Sequence, residues 1–406
     1  MIPFAPPKIT DEVVNAVKEV LYSGWITTGP KTKFFEKKLA EYCNVPSVLC
    51  LNSATAGLEL VLRWFGVQKG DEVIIPAYTY SATANVVIHC GAKPVFVDVN
   101  KNDFNISVEK IERAITSRTK VIIPVDFGGF PCDYDAINDL VKQKIIRKKF
   151  KPNLLIDEQK KLKRILILSD AAHSIGGKYK NKKTGSLTDV SVFSFHAVKN
   201  LTTAEGGAVC LNLPNPFDNL KIYSSLNIKS LHGQNKDAFL KIQKNDWHYD
   251  IIEAGYKCNM TDIAAAMGLA EMKEYDKETI PKRKYICEKY SQTFLNFNWA
   301  EVPLLKDLYR ESSYHLYPLR IKNISEEQRD AIIKRIFNRN VSVNVHFIPV
   351  PMMSAYKKLG YKIKNYPNAY DNFSREISLP VFFGLTDEQI DVVIKAVVKS
   401  VEEIIT

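Results

Sequence analysis

No run of apolar residues in this 406-residue chain approaches the roughly 18 that a membrane helix needs. Its first residues, MIPFAPPKITDEVV, lack the basic-then-apolar order of a secretion signal. Together these absences give a cytoplasmic location as the expectation. Cysteine is sparse: seven residues, an odd number, run from Cys43 to Cys287 with no Cys-x-x-Cys pair. That argues against a disulfide framework or a zinc site and leaves reduced, packed thiols and no metal. There is no internal repeat and no low-complexity tract. A dispersed basic field is absent too, although the net charge is +11: residues 141–164 alone supply +8 of it. Nucleic-acid binding needs a basic face, and a single solvated excursion is not one.

What is present is an average globular composition, 46% hydrophobic and 25% charged, in a chain long enough for a large domain and a smaller one. Thr10 is placed to cap a helix in which Val13, Val14, Val17, Val20 and Leu21 keep a 3.6-residue rhythm, ended by Gly24. Short apolar runs follow at residues 73–77 (VIIPA), 94–99 (PVFVDV), 121–125 (VIIPV), 165–169 (ILILS), 190–195 (VSVFSF) and 208–211 (AVCL). Several are apolar at every position, as strands buried on both faces are, so the pattern predicts a doubly wound, largely parallel α/β sheet. It spans residues 30–290, with 1–29 as an N-terminal segment and 141–164 as a peripheral basic insertion. Residues 291–406 read as a smaller α/β domain. Its predicted strands are 313–321 and 341–347; its helices open at the capping boxes of Ser325 and Thr386.

In doubly wound sheets, ligands sit beyond the carboxyl ends of the strands. Asp170 follows one run, with His173 just after it; Ser194, and then Lys199, follow another. Ser53, Thr55 and Ala56 open an amphipathic helix, and Tyr80 follows the VIIPA run. Each alone is an ordinary cap, core or surface residue. Jointly they offer a helix N-terminus for a phosphate, an aromatic ring for a flat heterocycle, a carboxylate for a protonated ring nitrogen, and an amine for an aldehyde. Those four requirements describe pyridoxal 5′-phosphate.

At these positions the chain resembles the DegT/DnrJ/StrS sugar aminotransferases. The likeness runs through Ser23–Gly24–Trp25–Ile26–Thr27–Thr28–Gly29–Pro30, Asp170–Ala171–Ala172–His173, Ser194–Phe195–His196 with Lys199, Glu205–Gly206–Gly207, residues 255–262 and His346–Phe347–Ile348–Pro349. It implies the type I fold of pyridoxal-phosphate enzymes, with a large, mostly parallel sheet domain of the seven-stranded type and a smaller C-terminal α/β domain. It also implies roles. Lys199 would be the Schiff-base lysine and proton shuttle, Asp170 the partner of the pyridine nitrogen, and His173 a neighbour of the ring. Tyr80 would stack on the ring. Ser53, Thr55, Ala56 and Ser194 would hold the phosphate, and Lys257 and Asn259 would reach it from the second subunit of a homodimer. Glutamate would donate the amino group to a nucleotide-linked keto-sugar. Trp25, Ile26, Thr27, His315, Tyr317 and His346 are the candidate substrate contacts.

The chain departs from the family pattern at four places. Cys258 stands where tyrosine is usual, Ala204 where glycine is common (a minor change if its φ is negative), and Pro351 where a second histidine often falls. Residues 141–164 are longer than the usual connection. Two other readings use the same residues differently. A pyridoxamine-dependent sugar dehydratase is expected to replace the lysine by histidine, and a non-catalytic regulator on this fold to lose Asp170 or Lys199. Neither change is present.

Overall fold

A computed structural model describes residues 1–235 and 247–405. Its centre is a seven-stranded sheet built from β1 (Ser47–Leu51), β2 (Glu72–Pro76), β3 (Lys93–Val97), β4 (Thr119–Ile122), β5 (Leu166–Asp170), β8 (Val190–Ser194) and β9 (Gly207–Leu211). Between them, β6 (Lys178–Tyr179) and β7 (Lys182–Lys183) form a small hairpin outside that sheet. The sheet order is β1-β9-β8-β5-β4-β2-β3. Pairings are parallel from β8 through β5, β4 and β2 to β3, while β9 runs antiparallel to both neighbours. Strands β1, β2, β4, β5, β8 and β9 are buried along their whole length, which is why their sequences are mostly apolar rather than alternating.

The apolar runs mark six of these strands to within three residues at either end. β1 carries no sequence signal beyond its SVLCL run and is an addition. In the C-terminal part, β10 (Ala300–Glu301), β12 (Tyr317–Ile321) and β13 (Glu376–Leu379) form a three-stranded sheet, while β11 (Arg310–Glu311) pairs with β6. The expected strand at 341–347 is not one: only isolated bridges, Ile2 to Val341 and Asn344 to Ser378, tie it down. The strand beside β12 is instead β13, only four residues long and too short to announce itself by alternation. A separate apolar cluster joins these strands to Ile286, Tyr290 and Phe294 of the helix Ile280–Phe294, to Val393 and Val397 of the helix Asp387–Ile405, and to Ile2. The N-terminus thus docks here, while the helix Asp11–Ser23 packs against the helix Asp262–Glu274.

Helix ends follow the sequence cues. Thr10 Oγ1 accepts from Val13 N–H, and Gly24 ends the helix in the left-handed region at φ 73°. Both Ser325 and Thr386 form capping boxes, with Gln328 and Gln389. Residues 141–164 are not a loose excursion. Ile146, Phe150 and Leu162 are buried, and buried Gln159 donates to the carbonyl of Phe65. The segment is docked by these residues, with most of its lysines and arginines outside together with Ile145, Leu154 and Leu155. Ala204 lies at φ 64°, so the condition under which its replacement of glycine is minor is not met.

One carboxylate organises two of the quoted motifs. Buried Asp262 accepts from the backbone N–H groups of Gly29, Lys31 and Thr32 and from the Thr32 hydroxyl at 2.7–3.0 Å. It thereby binds the 255–262 segment to the start of the helix Pro30–Cys43. Asp262→Ala leaves these donors unpaired in a dry site and is expected to cost about 3 kcal/mol in denaturant unfolding. Ala204→Gly relieves the left-handed strain and is expected to stabilise by about 0.5–1 kcal/mol, read as a raised Tm. An unchanged or lowered Tm contradicts that reading.

Candidate active site

Because β9 runs opposite to its neighbours, its first residue lies beside the last residues of β1 and β8: Gly207 pairs with Leu51 and with Ser194. Asp170 closes β5 on the same edge. A cavity of about 340 Å³ opens along this edge. Its walls include Ser53, Thr55, Tyr80, Asp170, His173, Ser194, Lys199, His315 and His346. The glycine pair of Glu205–Gly206–Gly207 makes this closeness possible. A Cβ on Gly207 would lie 2.4 Å from the backbone N of Ala54, so only glycine lets β9 meet the helix Ala54–Trp64 there.

At one end of the cavity, the first turn of that helix brings N–H groups without intrahelical partners, flanked by the hydroxyls of Ser53, Thr55 and Ser194. The Ala56 N–H is not among the free ones. It donates to Ser53 Oγ at 3.1 Å, and Ala56 does not line the cavity. Of the candidate anion-binding residues, Ser53, Thr55 and Ser194 line the cavity and Ala56 does not.

Towards the middle lies Asp170. It accepts from the Thr83 hydroxyl at 2.8 Å and from the Ala172 N–H at 3.3 Å. Thr83 lies 2.9 Å from Thr79, and its single proton goes to the carboxylate, so Thr79 must donate to Thr83. Burial pushes the Asp170 pKa up, opposed by these donors and by the Lys199 charge. Burial likewise lowers the Lys199 amine, the Asp170 charge restores only part of the shift, and the amine is left at about 8. A buried carboxylate facing neutral donors and a half-deprotonated amine accommodates one more cationic N–H, such as that of a protonated pyridine.

Three imidazoles crowd the other wall. His173 accepts from the Gly128 N–H at Nδ1, 3.3 Å away, which leaves the proton on Nε2. His315 lies with its ring centroid 4.4 Å from that of His173; its Nδ1 donates to Asn200 Oδ1 at 2.9 Å, while the same carboxamide donates to the Ser313 carbonyl. His346 stacks on Phe4. Burial holds His173 and His315 well below the ordinary histidine pKa and His346 at about 4. Tyr80, 59% exposed, stands at the rim against Phe347. A second cavity, about 390 Å³, is also lined by Lys199, together with residues of the N-terminal segment and Arg283.

Several expected contacts lie elsewhere. Tyr317 is fully buried among Tyr290 and Phe294 with its hydroxyl on Ser291, so it packs the C-terminal core and cannot touch substrate. Trp25, Ile26 and Thr27 are outside this chain's cavity. Trp25 Nε1 donates to the Thr28 carbonyl, and the Thr27 carbonyl accepts from the Asp262 N–H. Lys257 and Asn259 are outside it too: they contact each other beside the end of β1, and Asn259 donates to the Thr28 hydroxyl. Thr79, Thr83 and Asn200 are functional neighbours that sequence reasoning missed. Thr83 was reachable from its place one turn into the helix that follows Tyr80.

Two pH effects follow. In cofactor-free protein the uncharged fraction of Lys199 rises through about pH 8, and Asp170→Asn, by removing the charge that favours the ammonium, moves that midpoint lower; amine-labelling rates measure both. The three histidines have folded-state pKa values below the unfolded one, so the unfolded chain binds more protons as the pH falls. Stability is therefore lost progressively below about pH 6.5. Urea titrations across that window are expected to show a shallower decline in His346→Asn.

The sequence profile of the DegT/DnrJ/EryC1/StrS aminotransferase family matches residues 7–147 and 156–398, so the break falls inside the basic segment. A candidate sugar aminotransferase from Streptococcus pneumoniae, Spr1654, superposes in its PMP form with a TM-score of 0.95, at 44% identity over 100% of both chains, and in its PLP form with 0.94. Helicobacter pylori PseC, an aminotransferase involved in the biosynthesis of pseudoaminic acid, gives 0.84 at 29% identity over 99% of both chains. The spore coat polysaccharide biosynthesis protein SpsC of Bacillus subtilis is 36% identical over 98% of this chain and 96% of its own. With such coverage, and with lysine, aspartate and helix N-terminus assembled on one sheet edge, the chain belongs to the pyridoxal-phosphate-dependent DegT/DnrJ/EryC1/StrS aminotransferase family.

Proposed function

We propose that the protein transfers the amino group of glutamate to the ketone of a nucleotide-linked deoxy-sugar, at carbon 4 and with UDP as the favoured carrier, to make an amino sugar for a surface glycan. The observation that carries the reading is Lys199: a half-buried amine lowered to about 8, beside a buried carboxylate, in a cavity at the strand ends. The roles named for PseC and SpsC support a sugar substrate, and Lys257-Cys258-Asn259 resembles the Lys-Tyr-Asn of family members that act on UDP-linked 4-keto sugars, which supports the 4-keto, UDP-linked choice.

Pyridoxal phosphate fits the donor set. Ser53, Thr55 and Ser194 would hold its phosphate, Asp170 its ring nitrogen, Tyr80 and His173 its ring, and Lys199 its aldehyde. When bound, it supplies an electron-withdrawing ring that stabilises charge on the carbon losing a proton. The chain's own part is to move that proton and orient the ketone. Lys199, uncharged in about a tenth of molecules at pH 7, can take a proton and return it. Asp170, kept in place by Thr83 and Thr79, would accept a hydrogen bond from the protonated ring nitrogen. His315 and His346, neutral and rigidly bonded, offer hydrogen bonds to sugar hydroxyls without competing for anionic groups. Keto- and amino-sugar differ at one carbon, so nucleotide and diphosphate must supply most of the binding energy. Lys257 and Asn259 lie outside their own cavity and are placed in this reading to serve a second subunit of a homodimer.

Borohydride reduction of the loaded protein followed by peptide mapping is expected to leave a pyridoxyl group on Lys199; one elsewhere, or none, removes the mechanism. Lys199→Ala should abolish transamination with the fold intact. Release of 2-oxoglutarate from glutamate in the presence of a keto-sugar nucleotide separates this reading from a dehydratase.

A further inference from the structure

His346 reaches the cavity on a chain of buried hydrogen bonds that no step above uses. Its Nδ1 lies 2.9 Å from Ser378 Oγ, which lies 2.5 Å from Glu376 Oε1. The other carboxylate oxygen, Glu376 Oε2, accepts the backbone N–H of His346 at 3.0 Å, and the His346 carbonyl accepts from the Tyr78 hydroxyl. Glu376 and Ser378 have no exposure, sit on β13, and do not line the cavity. With Nδ1 committed to Ser378, Nε2 is the ring nitrogen left for the cavity wall that His346 forms.

The Ser378 hydroxyl carries one proton and has a hydrogen-bond partner on each side. If Glu376 is a carboxylate, Ser378 donates to it, His346 must donate from Nδ1, and Nε2 is bare. If Glu376 is a carboxylic acid, it donates to Ser378, Ser378 donates to Nδ1, and Nε2 carries the proton. We propose that Glu376, acting through Ser378, is a specificity-determining positioning residue: it decides whether His346 offers the substrate a hydrogen-bond acceptor, suited to a sugar hydroxyl, or a donor, suited to a carbonyl oxygen. The kinetic side of this proposal rests on the cavity being the sugar site; the tautomer side does not.

Both forms are accessible near neutral pH. Burial pushes Glu376 up to about 8, opposed by Ser378, by the His346 N–H, and by Arg329 and Arg320 from the neighbouring helix and from β12. Tyr78 faces Glu376 from the loop after β2, and burial holds its phenol well above 10. The charged or titratable groups facing His346 are Lys199, His173 and His315, and the imidazole itself stays neutral above about 4.

The test is nitrogen NMR of histidine-labelled holoenzyme without substrate, with the His346 signal assigned from His346→Asn. Wild type is expected to change from the Nε2–H to the Nδ1–H tautomer as the pH rises through about 8. In Glu376→Gln the amide oxygen must accept the His346 N–H, so its nitrogen donates to Ser378, and His346 is expected to stay Nε2–H throughout. Ser378→Ala should abolish the pH dependence. Above that pH, Glu376→Gln is expected to change KM for the sugar roughly tenfold with little change in kcat. A wild-type tautomer that ignores pH, or one that Glu376→Gln and Ser378→Ala leave unaltered, overturns the proposal. A failure to transaminate any sugar leaves the NMR result standing and refutes only the substrate reading.

Discussion

The site depends on two opposite charges that burial disfavours and that favour each other. Taken out of water, the Lys199 amine loses protons more readily and the Asp170 carboxylate gains them more readily. Their mutual attraction limits both shifts, leaving an amine that can exchange a proton and a carboxylate able to hold a cationic ring. Removing either partner strands the other in a dry cavity, where a lone charge is costly. The Thr79–Thr83 pair and the Ala172 N–H keep the carboxylate in place without adding charge, so the balance remains between Lys199, Asp170 and whatever enters.

Topology brings that pair together with an anion-binding helix start. The single reversed strand, β9, turns its first residue towards the ends of β1 and β8, and Gly207 lets it approach the backbone at Ala54. Segments near residues 53, 80, 170, 199, 315 and 346 therefore share one cavity although they span most of the chain. Asp262 does the corresponding work outside the cavity, and this gives the Gly29–Pro30 and Thr261–Asp262 motifs a structural purpose independent of chemistry.

Sequence was most informative where a single physical rule governed. Continuous apolar runs marked strands buried on both faces, and Ser, Thr and Gly marked helix ends. Lys199 and Asp170 stood out because each follows such a run. It was least informative where tertiary contact decides. Tyr317 lies two residues past His315 in the chain, but it opens β12 and packs into the C-terminal core. The 341–347 segment has strand-like residues, yet β13 takes the pairing beside β12. Ala56 sits in a phosphate-binding pattern, but Ser53 claims its N–H. The φ of Ala204 is set by the loop around it, and no local pattern reports that.

The most direct test of the account is the cofactor's absorbance through two half-reactions on one loaded sample. Glutamate alone should convert the aldehyde form of the cofactor to the amine form stoichiometrically with the protein. Subsequent addition of a nucleotide-linked keto-sugar, after glutamate is removed, should restore the aldehyde spectrum. A spectrum that glutamate leaves untouched, or an amine form that no keto-sugar nucleotide reoxidises to the aldehyde, would contradict the central claim.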